Sequence, residues 1–206
     1  MRFFLVCLLF VPLLADAQPR LRDSIGQVIT TRNDAALLGR NGLLRIAQRR
    51  ADVYVGDKIS TGPNIPLQMR MRDQSNIRIA CNSELDIHEY SRDPDSRGLV
   101  SLAYIRGGLM IVSNAAEGDL FRLMTPIGEF ELGSGVFEIE QETSASYLVG
   151  IYRGTLRGLN NDNGLRLDNV SAESFLRISL NGNVETVVQR DLVRLRERNC
   201  SPDNIE

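Results

Sequence analysis

Hydrophobic and polar residues alternate with period two along most of this chain. The clearest apolar rows are Leu67, Met69 and Met71; Ile77, Ile79 and Cys81; Leu85 and Ile87; Phe130 and Leu132; and Phe137 and Ile139. This alternation is typical of β-strands that have one face on a core and the other in water. It therefore predicts that the residues between, including Glu138 and Glu140, are exposed.

Turn-forming residues separate these runs, which recur about every 8–12 residues between positions 25 and 188. The clearest hairpin is predicted for Phe175–Leu180 and Asn183–Val188. The two residues between these strands are Asn181 and Gly182, a pair that favours a type I′ turn because both accept a positive φ. The strand spacing indicates one domain, since no linker rich in Gly, Ser or Pro divides it.

Two segments have helical spacing. Segment 35–48 clusters Leu and Ala, although Gly39 and Gly42 weaken that prediction. Segment 189–198 places its apolar residues on one side, as a short amphipathic helix does.

We therefore predict an all-β domain of many short strands over 25–188. It is either a two-sheet sandwich or a short solenoid-like barrel, and a short helix with a frayed tail follows over 189–206.

The first residues are typical of a secretory signal peptide. Arg2 precedes an apolar run over 3–14, and Ala15-Asp16-Ala17 has the small-x-small pattern of a cleavage site. The run is shorter than the ~20 residues that span a bilayer. We expect cleavage after Ala17, a lead-in over 18–24, and a periplasmic or secreted protein without a transmembrane segment.

The composition and net charge of the chain limit the classes of partner that we expect. The chain has 206 residues, a net charge of −2 and 43% hydrophobic residues, which suffices for a core. A near-neutral charge gives no general attraction to nucleic acid, so we expect no nucleic-acid partner.

Two cysteines follow the leader, Cys81 and Cys200. An exported protein permits one disulfide between them, which would close a loop of roughly 120 residues and stabilise by ~4–5 kcal/mol. The alternative is that Cys81, on an apolar strand row, is an inert core thiol.

Seven segments share a pattern with a known family, namely Ile25–Val28, Val55–Gly62, Leu67–Ser75, Arg106–Leu109, Phe121–Pro126, Leu132–Ile139 and Tyr152–Leu156. Taken in this order, they resemble the FecR-type periplasmic domain. The second is the most specific, since it matches the family signature Gly-Asp-x-Ile-x-Thr-Gly. The third departs from the family, because Gln74 stands where the family has Gly. The resemblance covers roughly residues 25–182.

The matched residues have mainly structural roles. Gly56 allows a tight turn in which the Asp57 carboxylate accepts bonds from the backbone amides that follow. Thr61 and Gly62 repeat this arrangement at the next corner. Thr125 precedes Pro126, which ends a strand because proline removes a ladder donor.

The resemblance also implies differences from the family's iron-uptake regulators. Those proteins have a cytoplasmic anti-sigma segment and a membrane helix, which a signal peptide replaces here. They also have a C-terminal αβ subdomain, for which residues 183–206 are too few. We expect a free-standing FecR-like domain.

No set of residues predicts catalysis, a cofactor or a metal. His88 is the only histidine, and it lies beside Asp86 on the polar face of its strand. Glu138 and Glu140 share a strand face, an arrangement that acid–base chemistry also uses, but acidic rows are common on solvated sheets. We expect a protein that is not an enzyme.

Three arginines are the candidate binding residues. Arg70, Arg72 and Arg78 lie on the polar side of neighbouring strand segments, where they form a site for a carboxylate, a phosphate or an acidic glycan. The alternative is pairing with Glu129 and Glu131 or with the Glu138 row. Exposed sheet edges are a second binding feature, because a partner strand can add to them.

The resulting expectation is a non-enzymatic exported domain that binds or scaffolds an envelope protein or polymer. One alternative is a sensor in cell-surface signalling that acts through a separate anti-sigma protein. Another is recognition of peptidoglycan or another acidic glycan.

Overall fold

The computed structural model describes residues 23–31, 35–63, 66–91, 98–159, 165 and 167–199, which contain eighteen strands and one helix. Strands are numbered in chain order. Sheet A contains β1 (Gly26–Thr30), β4 (Asp52–Val53), β6 (Leu67–Met71), β7 (Asn76–Ile79), β10 (Gly108–Ser113), β13 (Gly135–Gln141), β14 (Ser146–Arg153), β17 (Ser174–Ser179) and β18 (Val184–Thr186). Sheet B contains β2 (Ala36–Leu38), β3 (Leu44–Ile46), β5 (Lys58–Ser60), β8 (Glu84–Ser91), β9 (Leu99–Arg106), β11 (Leu120–Thr125), β12 (Gly128–Leu132), β15 (Thr155–Gly158) and β16 (Val170–Ser171). Helix α1 (Gln189–Asn199) follows.

The chain crosses between the sheets as it advances, so strand order in each sheet nearly follows the sequence. Sheet A has the order β18-β17-β14-β13-β10-β7-β6-β1-β4, and sheet B has the order β16-β15-β12-β11-β9-β8-β5-β2-β3. All pairs are antiparallel except β9 with β11. The sheets do not close into a barrel in the part of the chain described, so the sandwich alternative is confirmed.

The core lies between the two sheets and is built from their alternate side chains. Every predicted apolar row, from Leu67 to Ile139, is buried. Phe121 and Phe130 are among the largest fully buried side chains. The period-two pattern therefore identified which face of each of these strands is internal.

Three sequence expectations are wrong, each for a local reason. Segment 35–48 forms β2 and β3 instead of a helix, because Gly42 has a φ of 78° and the Asn41 side chain accepts the Leu43 N–H, which closes a hairpin. The hairpin of β17 and β18 forms as predicted, but its turn is not type I′. Only Gly182 of the central pair has a positive φ, so a longer turn forms with Gly182 in the left-handed region.

The third correction concerns Glu138 and Glu140, which are 2% and 1% exposed. They lie on the outer face of sheet A, as the alternation requires, but helix α1 lies over β13 and β14. The Tyr152 hydroxyl donates to Glu138 Oε2 at 2.5 Å. Gly108 leaves room for the Glu140 carboxylate, which occupies the space that a Cβ there would need.

Helix α1 forms where its amphipathic pattern predicts. Leu192 is fully buried and packs with Leu148, Phe175 and Val187 on the outer face of sheet A. Gly150 lies directly beneath it, since a Cβ there would stand 3.1 Å from Leu192 Cδ1. The helix thus covers one half of this face, and no other described helix or strand covers β1, β6, β7 and β10 there.

The predicted signal peptide over 1–17 and Cys200 lie outside the described residues. Within the described ranges, no helix has the length and apolar character needed to cross a membrane.

Candidate functional site

The open half of sheet A brings two of the three predicted arginines together. Strands β6 and β7 pair so that Gln68 is opposite Arg78 and Arg70 is opposite Asn76. Alternation places all four of these side chains on the outer face, because Met69 and the other residues between them point into the core. The two arginines therefore lie diagonally across one strand pair.

Apolar side chains of the flanking strands lie on either side of these arginines. Met110 and Val112 of β10 pair with Arg78 and Asn76, while Ile29 of β1 lies on the other side. Together with Gln68 and Arg70 they line an open depression of about 300 Å³. We call this depression the arginine groove.

The groove arginines take part in no ion pair within the part of the chain described. Arg70 Nε lies 3.4 Å from Asn76 Oδ1, which is a long hydrogen bond to a neutral group. Both Arg70 and Arg78 are exposed. Their guanidinium groups are thus available to an external anion.

The alternative prediction was that these arginines form ion pairs with glutamates of neighbouring strands. The described residues contain no such ion pair. Glu129 and Glu131 belong to sheet B, where they pair with Arg122 and Arg157 at 3.8 and 2.9 Å. Glu138 lies on the same outer face of sheet A, opposite the groove residue Met110, but it is 2% exposed and accepts from the Tyr152 hydroxyl. For Glu129 and Glu131, sequence spacing did not reveal the separation from the groove arginines, because it depends on which sheet each hairpin joins.

Arg72 does not belong to the groove. It is exposed in the turn between β6 and β7, and it is not among the residues that line the depression. Its backbone N–H donates to the Ile25 carbonyl at 2.9 Å, which fixes the turn against the start of β1. The three predicted arginines are therefore two groove residues and one turn residue.

The signature residue Asp57 has a structural role. It is 2% exposed, and its Oδ2 accepts from Arg45 Nη2 at 2.5 Å and from the Tyr54 N–H at 2.9 Å. The backbone donor precedes Asp57 in the chain, contrary to the expected donors that follow it. Arg45 also donates to the Asp52 carbonyl and lies over the Tyr54 ring, with 5.1 Å from Cζ to the ring centroid.

Other predicted corner residues are also held by hydrogen bonds. Thr61 Oγ1 donates to the Ala80 carbonyl and accepts from the Ser83 N–H at 3.0 Å. The Gly62 carbonyl accepts from the Asn82 N–H. Thr125 Oγ1 donates to the Gly128 carbonyl across the turn that contains Pro126. These contacts hold neighbouring strands and turns together.

Cys81 is disulfide-bonded and 1% exposed. Because Cys200 lies outside the described residues, the Cys81–Cys200 pairing stays a prediction.

Buried titratable groups elsewhere support the fold. Burial, with a smaller contribution from Glu140, raises the pKa of Tyr104 far above its ordinary value. Its hydroxyl donates to the Gly107 carbonyl at 2.6 Å, and its ring meets Tyr147 edge to face. Tyr104 is therefore a neutral hydrogen-bond donor that closes the turn between β9 and β10.

A second depression, of about 350 Å³, contains His88, Asp86, Lys58 and Arg40. Lys58 Nζ lies 3.5 Å from Asp86 Oδ2, while His88 is exposed. No three His, Cys, Asp or Glu side chains within the described ranges are grouped as metal ligands.

The fold is similar to that of a solved protein. No protein-family model and no curated protein sequence matches the chain. Two crystal structures of a putative anti-sigma factor from Parabacteroides distasonis, at 2.50 and 1.65 Å resolution, match it with TM-scores of 0.52 and sequence identities of 13% and 12%. Each match covers 64% of this chain, which in turn spans 59% of the length of that protein. At sequence identities this low, the match is evidence of a shared fold only.

Proposed function

We propose that this protein is a non-enzymatic, exported FecR-like binding domain. Its arginine groove recognises an anionic group on a partner in the cell envelope. The observation that supports this most directly is the open groove itself, in which Arg70 and Arg78 have no ion-pair partner among the described residues. The fold similarity to the Parabacteroides distasonis protein supports a signalling-related role.

The groove chemistry suggests the class of ligand. A guanidinium group binds a carboxylate or phosphate through two parallel hydrogen bonds, and such charge-assisted bonds are strong. Gln68 adds an amide donor and acceptor beside the two charges, while the Asn76 amide accepts from Arg70 and donates to the Gln74 carbonyl. Met110 and Val112 form an apolar wall, so the ligand we propose combines an acidic group with an apolar portion.

The remaining ionic residues support a binding role in preference to catalysis. Asp57 is occupied by Arg45 and the Tyr54 N–H, and Glu138 accepts from Tyr152. The Tyr104 hydroxyl donates to the Gly107 carbonyl. These groups hold corners and strands together, whereas Arg70 and Arg78 are exposed in the groove.

A sensor role in cell-surface signalling is the second candidate, and the fold similarity favours it. In that case the domain reports its ligand to a separate membrane anti-sigma protein. Deletion of the gene would then change transcription from one sigma-factor regulon, whereas a purely scaffolding domain would leave that regulon unchanged.

Charge reversal in the groove tests the proposal. We expect wild-type protein to bind the bacterial envelope fraction and Arg70→Glu/Arg78→Glu to lose at least about tenfold in affinity, because two charge-assisted contacts are reversed. The control Arg49→Glu/Arg72→Glu has the same net charge but leaves the groove intact. Equal loss in both variants, or in neither, would contradict groove recognition.

Purified peptidoglycan separates the glycan alternative from a protein partner. If it retains wild-type protein and loses Arg70→Glu/Arg78→Glu, the anionic group belongs to the wall polymer. If it retains neither while the whole envelope fraction retains wild type, the partner is a protein or lipid of that fraction.

A further inference from the structure

Strand β3 forms one edge of sheet B, and it is unusually apolar for an exposed edge. Leu44 and Ile46 are 67% and 63% exposed, and Leu43 just before them is 58% exposed. Leu38 of neighbouring β2 extends the patch, because it pairs directly with Leu44. Natural sheets usually protect such edges with charge, proline or a covering element.

The backbone of β3 is oriented for addition of another strand. Leu43 accepts from the Gly39 N–H, and Ala47 donates to the Ala35 carbonyl, both at 2.9 Å. Since antiparallel ladders bond alternate residues on each side, the N–H and C=O of Leu44 face away from β2. This edge therefore offers an outward donor and acceptor at the centre of an apolar surface.

The other sheet edges of the described chain are less suited to self-pairing. Strand β4 contains Asp52, and β18 contains Glu185, whose side chain is 67% exposed. Two copies of either edge would bring like charges together across the pair, which is unfavourable. Strand β16 has only two residues, Val170 and Ser171.

We propose that β3 pairs antiparallel with β3 of a second copy of this chain and so joins two B sheets. A two-fold axis beside Leu44 lets each Leu44 N–H donate to the Leu44 carbonyl of the partner. Leu43 then stands opposite Arg45. The Arg45 guanidinium is already bound to Asp57, so like charges do not meet at this interface.

Sedimentation velocity of the purified mature protein over a wide concentration range tests this pairing. Wild type is expected to shift from monomer toward dimer as concentration rises. Leu44→Lys is expected to remain monomeric, because it places two ammonium groups together at the two-fold axis. Val188→Lys is the matched control, since Val188 is a 63% exposed apolar residue outside β3.

A second variant tests the strand geometry itself. Leu44→Pro removes the outward N–H while the Leu37–Arg45 pair of the β2–β3 ladder remains. We expect this variant to be monomeric. In wild type, we expect hydrogen exchange of the Leu44 amide to be slower at high protein concentration. A wild type that stays monomeric, or a dimer that survives Leu44→Lys, would overturn the proposal.

Discussion

Asp57 shows how a signature residue can be structural at the scale of a single side chain. The sequence predicted a turn at Gly56, which is present, and a carboxylate that binds the backbone amides after it, whereas the bound amide is that of Tyr54 before it. It did not predict Arg45, because that contact joins residues twelve positions apart through the β2–β3 hairpin. The same limit applies to Arg70 and Arg78, which form no ion pair with another described residue, in part because Glu129 and Glu131 belong to the other sheet.

Substitution of Asp57 by Asn tests this role. The oxygen of the new side-chain amide can still accept the Tyr54 N–H, but the substitution removes the negative charge beside Arg45. The Arg45 side chain is 27% exposed. We expect a loss of about 2 kcal/mol in the free energy of unfolding, below the cost in a fully buried pair because Arg45 keeps some hydration.

Chemical denaturation measures this loss. Asp86→Asn is the control, since its ion pair with Lys58 is partly exposed and is worth less than about 1 kcal/mol. Equal losses in the two variants would show that Asp57 has no special structural role.

Among the elements, helix α1 determines which part of sheet A is open. The sequence predicted its amphipathic pattern but not its docking position, because no strand was predicted specifically for the segment that contains Leu148 and Gly150. That docking converts Glu138 and Glu140 from expected surface residues into buried ones. Arg70 and Arg78 lie on the other half of the face, which the helix does not cover.

Truncation of Leu192 to Ala tests the docking. We expect a loss of about 3 kcal/mol, because a fully buried leucine side chain is removed from its contact with Leu148 and Phe175. Val188→Ala, at a 63% exposed position, is expected to change stability by less than about 0.5 kcal/mol. A loss at Leu192 as small as the control's would mean that the helix contributes little to the fold.

At the scale of the whole molecule, period-two alternation sufficed to predict an all-β fold and the inner face of five strands, β6, β7, β8, β12 and β13. The arrangement of these strands into two nine-stranded sheets was not readable, because each crossing between sheets depends on long-range packing. Segment 35–48 illustrates the difficulty, since its leucines resemble a helix while its two glycines allow a hairpin. The exposed apolar edge at β3 is a consequence of that hairpin.

A disulfide between Cys81 and Cys200 would constrain most of this fold. We expect the mature protein to contain no free thiol when it is denatured without reductant. Reduction is expected to lower stability by ~4–5 kcal/mol, because it releases a loop of roughly 120 residues. Titration with a thiol reagent in denaturant measures the first quantity, and two free thiols per chain would refute the pairing.

The central claim is that a partner occupies the arginine groove, and photo-crosslinking in cells tests it most directly. A photoreactive residue at Gln68, on the groove wall, is predicted to capture a discrete envelope component, and Arg78→Glu in the same chain is predicted to abolish that product. The same photoreactive residue at Ser171, on an edge of sheet B, is the control. Absence of a product at Gln68, or an identical product from Ser171, would contradict the account.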